Sequence, residues 1–421
     1  MTTEPQTTSD APQAQRSSDQ EALQGISPLM LEAFEQRQNP YPLYHRFRDE
    51  HPMHRADPGL WTFTRYQDIL AVLRDDRFSA DPRNATVFDE FRLEAGDESP
   101  LRNAAGTVLL FTDPPDHTVL RTLVNKAFTP RTVEKLRSHI TGIVDDLLEP
   151  YSSAGGMDVI GDFAYPLPAL VICELMGVPV EDRDKFKGWS SEVAPLIDPV
   201  STPDTLQKAM GTIAQFGMYF WALIEDRRKT PRDDFLSALI SAEENDQKLT
   251  VEQLLSLCVL IFIAGHETTQ NLIGNGLLAL LRNRDQLEKL RDGAPIKPAV
   301  EELLRYDSPV QLTARSATTD IKIAESTIPK GEEVIVLLGA GNRDPSVFPD
   351  PDRLDITREK SQIVSFGGGA HFCLGAGLAR LEGEIAFPAL LSRFPGIELD
   401  EDPQFRKTFT LRGLETLKVR F

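Results

Sequence analysis

The residues best suited to chemistry in this 421-residue chain are a lone cysteine and, upstream of it, a carboxylate beside an alcohol. Cys373 sits within Ser365-Phe366-Gly367-Gly368-Gly369-Ala370-His371-Phe372-Cys373-Leu374-Gly375-Ala376-Gly377. Glycines before it let the backbone turn tightly and lie against a flat surface without Cβ clashes. The spacing of Leu378, Leu381 and Ile385 predicts a helix starting just after it. Amides at that helix N-terminus can then point at the sulfur and favour its charged form, which is a metal ligand. Upstream, Ala264-Gly265-His266-Glu267-Thr268-Thr269 interrupts a long apolar run. Ala264 and Gly265 leave room for a planar cofactor or a diatomic ligand, and Glu267 with Thr268 sets a carboxylate and a hydroxyl beside that space. An apolar helix does not normally bury such groups without a partner. Thr268 either bonds a carbonyl one turn back or joins Glu267 in a proton relay. His266-Glu267 begins like the zinc-protease helix His-Glu-x-x-His, but position 270 is Gln, so His266 is read as structural.

Other charged residues fall at helical spacings. His117 and Arg121 stand four apart, on one face, and form either a clamp for carboxylates or a solvated basic stripe. Glu302 and Arg305 are three apart and can pair. Cys373 has no second Cys or His nearby at zinc spacing, so an axial haem ligand fits it better than a zinc or iron–sulfur site.

The spacing Phe366-x-x-Gly369-x-x-x-Cys373-x-Gly375 resembles the cysteine-ligand loop of the cytochrome P-450 superfamily, the haem-thiolate monooxygenases. Ala264 to Thr268 is similar to that family's oxygen-activation motif, small-Gly-x-acid-Thr. The resemblance implies that Thr268 contacts the bound dioxygen and that Glu267 resupplies protons. It also implies haem b as cofactor, Cys373 as iron ligand, and His117, Arg121, Arg315 and His371 as donors to the haem propionates. Glu302-x-x-Arg305 looks like the family's buried Glu-x-x-Arg, joined by the arginine of Pro351-Asp352-Arg353. Those residues support the cysteine loop and take no part in the chemistry. Leu354 stands where many relatives carry Phe, an apolar change that leaves this correspondence intact. Substrate contacts are expected from Phe88, Phe91, Ile197, Leu260, Ile263, Ala264, Gln311 and Thr410.

Patterning names the elements that must hold these groups in place. Thr250-Val251-Glu252-Gln253 has capping-box spacing, and apolar residues continue to Leu281. That predicts a mostly buried helix of roughly 45 Å through the core, at 1.5 Å rise per residue. A helix beginning at Asp113-Pro114-Pro115-Asp116 carries His117 and Arg121, and Pro298 starts the one with Glu302 and Arg305. Trp61-Thr62-Phe63-Thr64 and Val334 to Leu338 alternate as strands. Pro388 is expected to kink or end the helix after Cys373. Trp189, Val193, Leu196 and Ile197 cluster at a break between helices, which is either core packing at helix ends or a path for substrate. The expected class is mainly α with small β-sheets. Residues 1–25 read as a disordered tail, and 26–421 as a single haem-thiolate monooxygenase domain.

Composition bounds the partners. A net charge of −19 and a pI near 4.9 argue against nucleic acid and anionic membrane surfaces. Cys173, Cys258 and Cys373 are too scattered for a disulfide framework, so a reducing, cytoplasmic setting is expected. No signal peptide or membrane anchor is apparent. No flavin or iron–sulfur motif is present, so electrons are expected from a ferredoxin with an NAD(P)H-dependent reductase. Arg121, Lys126, Arg131 and Arg380 are its candidate docking cations. The chain is expected to be a monomer acting on a small apolar or amphipathic organic molecule and O2. A peroxide-driven oxygenase commonly lacks the acid–alcohol pair, and a haem sensor or carrier has no need of one.

Overall fold

The computed structural model describes residues 32–33, 35–56, 59–86, 108–193, 203–244, 247–359 and 362–421. Its main sheet is built from β1 (Met53–Ala56), β2 (Leu60–Phe63), β3 (Phe78–Ser79), β4 (Leu312–Ala317) and β5 (Glu333–Leu337), in the order β1-β2-β5-β4-β3. Only β2 and β5 run parallel; the other neighbours are antiparallel. Every residue of β2 is buried, as befits a strand covered on both faces. The β4–β5 register sets Arg315 opposite Val334 and so determines where that guanidinium starts. Trp61, Phe63, Ile69, Val334 and Phe348 form the apolar core of this layer.

Helices make up most of the remaining structure, giving the mainly helical class with small sheets. Those that bear on the site are α1 (Tyr41–Glu50), α2 (Tyr66–Arg74), α3 (Asp116–Ala127), α4 (Pro166–Met176), α5 (Arg183–Val193), α6 (Pro203–Lys229), α7 (Val251–Arg282), α8 (Ile296–Tyr306) and α9 (Ala376–Arg393). Thr250 caps α7 as its spacing predicts: Thr250 Oγ1 accepts from the Gln253 amide at 3.2 Å, and Gln253 Oε1 accepts from the Thr250 amide at 2.9 Å. The 32 residues of α7 are apolar enough to suit a bilayer span, yet the helix runs through the protein and packs against α4, α6, α8 and α9. Phe186, Phe216, Phe220 and Phe262 are buried where α5, α6 and α7 meet, and Trp189 packs on Phe216 with ring centroids 5.0 Å apart.

Pro388 neither ends nor shortens α9, which continues to Arg393. The proline lies on the solvent side, so the carbonyl that loses its donor remains wet. Leu390, Leu391 and Phe394 beyond it are buried and hold the last turn against the core.

Candidate functional site

The cysteine loop is shaped by the space it must fit. Gly369 has φ +64°, and a Cβ there would stand 2.0 Å from the Leu73 carbonyl oxygen at the end of α2, so only glycine fits. The Cys373 amide donates to the Phe366 carbonyl at 2.9 Å, closing the turn. Cys373 is exposed, whereas Cys173 and Cys258 are buried. Enough protein backs the sulfur that desolvation raises its thiol pKa. The amides of Gly375 and Ala376 and the charges of Arg121 and Arg380 oppose that rise by favouring the thiolate. Arg380 also lies over the Phe366 ring, 4.4 Å from its centroid, and pairs with Glu301.

Basic side chains gather around this loop from separate elements. His117 and Arg121 come from α3, Arg315 from β4 and His371 from the loop itself. The His117 and His371 rings lie 4.1 Å apart, and Arg121 Nη2 donates to the Phe372 carbonyl at 2.7 Å. Arg315 is 8% exposed, and its Nη1 reaches only the Ala314 carbonyl at 2.7 Å and Thr313 Oγ1 at 3.3 Å. Desolvation and its cationic neighbours push the His371 imidazole down to about 3, and desolvation lowers the Arg315 guanidinium to about 10. Among the described residues no carboxylate hydrogen-bonds to any member of this set. Asp113, whose charge acts on His117 and Arg315, is held instead by the Ser79 hydroxyl and, at 2.9 Å, the Ala80 amide. His117 Nε2 is buried without a described partner. A surplus of buried and half-buried donors beside an exposed thiol fits a haem, whose propionates would take the arginines and imidazole N–H groups and whose iron would take the sulfur.

The mid-α7 residues divide by face. Leu260, Ile263 and Thr268 are partly exposed and Ala264 is exposed, in contrast to buried Phe262, His266, Thr269 and Gln270. Gly265 lets α4 pack closely, since a Cβ there would stand 2.7 Å from Ile172 Cδ1 and that side chain would have to shift. Thr268 Oγ1 donates to the Ala264 carbonyl at 2.8 Å, the back-bond its position allows. His266 is 2% exposed, with Nδ1 3.2 Å from the Phe262 carbonyl, a structural place. Glu267 is 4% exposed and accepts from Arg406 Nη1 at 2.6 Å. Arg406 carries no spacing signal in the sequence, since it comes from a C-terminal segment more than a hundred residues away.

Behind the loop, Glu302 and Arg305 pair through bonds of 2.7 and 2.8 Å, with Arg305 fully buried. The third member differs from the expected one. Arg353 is exposed and contributes only its carbonyl, whereas Arg358 Nε reaches both Glu302 oxygens at 3.1 and 3.2 Å. The chain turns after Pro351, so Arg358, five residues beyond Arg353, is the one that folds back. Asn342 adds a further support, donating to Ser308 and Ser365 hydroxyls at 2.7 and 2.8 Å while its carbonyl takes the Val364 amide.

Of the expected substrate contacts, Leu260, Ile263 and Ala264 share the open face of α7, and Thr410 is half-buried with its carbonyl on the Gln311 amide. Gln311 itself is a correction. It is 3% exposed, and its side-chain amide is committed to Tyr44 Oη at 3.1 Å and the Ser308 carbonyl at 2.8 Å, so it braces the sheet. Phe88, Phe91 and Ile197 lie outside the described residues. Of the candidate docking cations, Lys126 and Arg131 are exposed and Arg121 and Arg380 are partly buried, Arg121 donating to the Phe372 carbonyl and Arg380 pairing with Glu301.

Comparison with known proteins agrees with this geometry. A family model described as Cytochrome P450 matches residues 62–293 and 296–416. The chain is 43% identical over 393 residues to the polyketide biosynthesis cytochrome P450 PksS of Bacillus subtilis, covering 90% of this chain and 95% of that protein. It is 43% identical to the biotin biosynthesis cytochrome P450 of the same organism, over 91% of this chain and 96% of that one. A crystal structure of P450BioI with hexadec-9Z-enoic acid ligated acyl carrier protein superimposes with a TM-score of 0.85 at 42% identity, over 93% of this chain and 100% of that one.

Proposed function

Since the chain belongs to the cytochrome P450 family and is therefore a haem b monooxygenase, we propose that it inserts one atom of O2 into an apolar or amphipathic organic substrate by hydroxylation or epoxidation. Electrons come from a ferredoxin served by an NAD(P)H-dependent reductase, in the cytoplasm. The observation that carries this is one exposed thiol beside four basic side chains, His117 and Arg315 buried and Arg121 and His371 half-buried, to which no carboxylate hydrogen-bonds among the described residues, with an alcohol on the open face of α7.

A thiolate-ligated haem supplies dioxygen activation when bound. The protein's residues do the rest. The Gly375 and Ala376 amides and the charges of Arg121 and Arg380 favour the thiolate of Cys373 against the rise that burial causes, and a bound iron would complete that bias. His117, Arg121, Arg315 and His371 would fix the two propionates and so set the plane and depth of the ring. Leu260, Ile263 and Ala264 offer an apolar wall that orients substrate and excludes water. Thr268 Oγ1 is a hydroxyl held by one bond, to the Ala264 carbonyl. As a relay it would turn its one proton from the Ala264 carbonyl toward the reacting oxygen while its lone pairs accept a hydrogen bond from the Glu267 side. The fatty-acyl ligand of one structural relative and the polyketide role of another favour an extended, largely apolar substrate.

Two measurements test the reading. Cys373→Ser is expected to abolish the far-red-shifted carbon monoxide band of the reduced protein, and retention of that band would sink thiolate ligation. Thr268→Ala is expected to divert reductant from product to peroxide; unchanged coupling would reject the relay. A screen of compounds for shifts of the haem absorption then identifies the substrate class.

A further inference from the structure

α6 has two unlike faces. Ala209, Thr212, Phe216, Phe220, Ile224 and Arg227 are buried and recur every three or four residues, the inner stripe of a packed helix. They lie where α6 meets α5, α7 and the helix Phe235–Ser241. The outer face carries Gln207, Gly211, Ala214, Met218, Trp221 and Ala222, all exposed. From Ala209 to Ile224 no residue is charged, in a chain of which 26% is charged. Leu110, Met210, Met218, Trp221 and Phe372 are the large apolar side chains left exposed among the described residues, and three of these five belong to α6. Met218 is 68% exposed and Trp221 50%. Apolar side chains gathered on one outward face, rather than scattered singly, mark an interaction surface.

Gly211 is an independent sign. A Cβ there would meet nothing within 4 Å, and the same holds at Gly217. Glycine weakens a helix interior relative to alanine, and no contact among the described residues requires it at either position. A close approach from outside the chain would.

The order of residues along the face selects the partner. A two-fold axis crossing α6 at the level of Phe216 sets each residue opposite the one equally far on the other side, in an antiparallel second copy. Trp221 then meets Gly211, Met218 meets Ala214, and Met210 meets Ala222. Each large side chain faces a small one, which lets the two helix axes approach to about 8 Å. The same pairing brings Lys208 against Glu225 of the other copy. Within their own chain these two make only surface pairs, with Glu192 at 3.1 Å and Arg228 at 3.0 Å. The uncharged middle of the face offers nothing to an acidic redox protein, and a body of net charge −19 is repelled by an anionic membrane.

We propose that the outer face of α6 is a self-association surface, on which two copies of this chain pair antiparallel about a two-fold axis and form a closed dimer in place of the expected monomer. One helix face per copy lies at the small end of specific interfaces, below about 1,200 Å² in total, so the dimer is weak, with a Kd in the micromolar range. The net charge of −19 on each copy opposes approach, and pairing therefore tightens as salt screens it.

Sedimentation velocity of the haem-loaded protein from about 1 to 100 μM tests this. A monomer–dimer equilibrium is expected, tighter at an ionic strength of about 0.15 M than at about 0.01 M, as the Debye length falls from about 30 Å to 8 Å. Met218→Lys is expected to weaken it by at least about tenfold, with haem content and absorption spectrum unchanged. Lys208→Glu should weaken it about threefold, and adding Glu225→Lys should restore it, because the antiparallel pairing sets those two positions together. A protein that stays monomeric throughout overturns the proposal, as does a dimer indifferent to Met218→Lys or growth beyond the dimer. Binding of such a monomer to phosphatidylcholine vesicles, lost in Met218→Lys, would assign the face to a lipid surface instead. A charge swap that fails to restore pairing would overturn the antiparallel arrangement.

Discussion

At the scale of single residues, the site depends on groups whose surroundings leave no alternative. Gly369 combines a left-handed backbone with a carbonyl 2.0 Å from where a Cβ would be. Gly369→Ala is expected to shift the cysteine loop off α2 and lower the haem-to-protein ratio of the purified protein, even though Cys373 is untouched. Glu382 is the opposite case, an acid that the chemistry does not use. It is fully buried in α9, both carboxylate oxygens lack a partner among the described residues, and desolvation holds its carboxyl well above the ordinary value of 4.5. The folded protein therefore keeps a proton that the unfolded chain releases once the pH exceeds roughly 4.5. Stability falls as pH rises through that window, by about 1.4 kcal/mol per unit until the folded pKa is reached. Glu382→Gln removes this slope. Urea unfolding at pH 8 should show the variant more stable than the parent, with the gap shrinking toward pH 5; a gap that stays constant would refute it.

At the scale of elements, the cysteine loop rests on α8 and the turn after Pro351. Removing one partner of a buried ion pair costs about 3–5 kcal/mol because the other charge stays buried. Arg305→Ala is expected to fall in that range, since Arg305 also donates to the Asn342 and Pro351 carbonyls at 2.9 and 2.8 Å. Arg358→Ala should cost less, about 1–3 kcal/mol, because Glu302 retains Arg305. Arg353→Ala, at an exposed side chain, should stay within about 0.5 kcal/mol of the parent. Denaturant titrations of the three variants would separate the residue that folds back from the one that only lends its carbonyl. An equal loss for Arg353→Ala and Arg358→Ala would contradict the geometry.

At the scale of the whole molecule, a body of net charge −19 must receive electrons from a protein that is itself acidic in the ferredoxin reading. Long-range repulsion then has to be overcome by a local basic surface. Lys126 and Arg131, exposed at the end of α3 and just beyond it, are the candidate cations of that surface. Reversing both charges is expected to slow electron transfer at low salt, with the difference fading as the Debye length falls to about 8 Å near physiological ionic strength. Rates unchanged at low salt would remove this surface from consideration.

Local sequence was enough for everything that depends on near neighbours along the chain. The glycines before Cys373, the cap of α7, the pairing of Glu302 with Arg305 and the shared face of His117 and Arg121 all follow from spacings of a few residues, which helix and turn geometry convert directly into positions. Tertiary structure decided what those spacings cannot encode. Arg406 reaches Glu267 across 139 positions, Arg358 displaces Arg353 because a turn brings it back to Glu302, and Gln311 is claimed by Tyr44 from α1. Pro388 is tolerated because buried residues beyond it hold the helix. In each case the deciding partner lies far away in sequence, and only the packing of helices against one another and against the sheet makes it a neighbour.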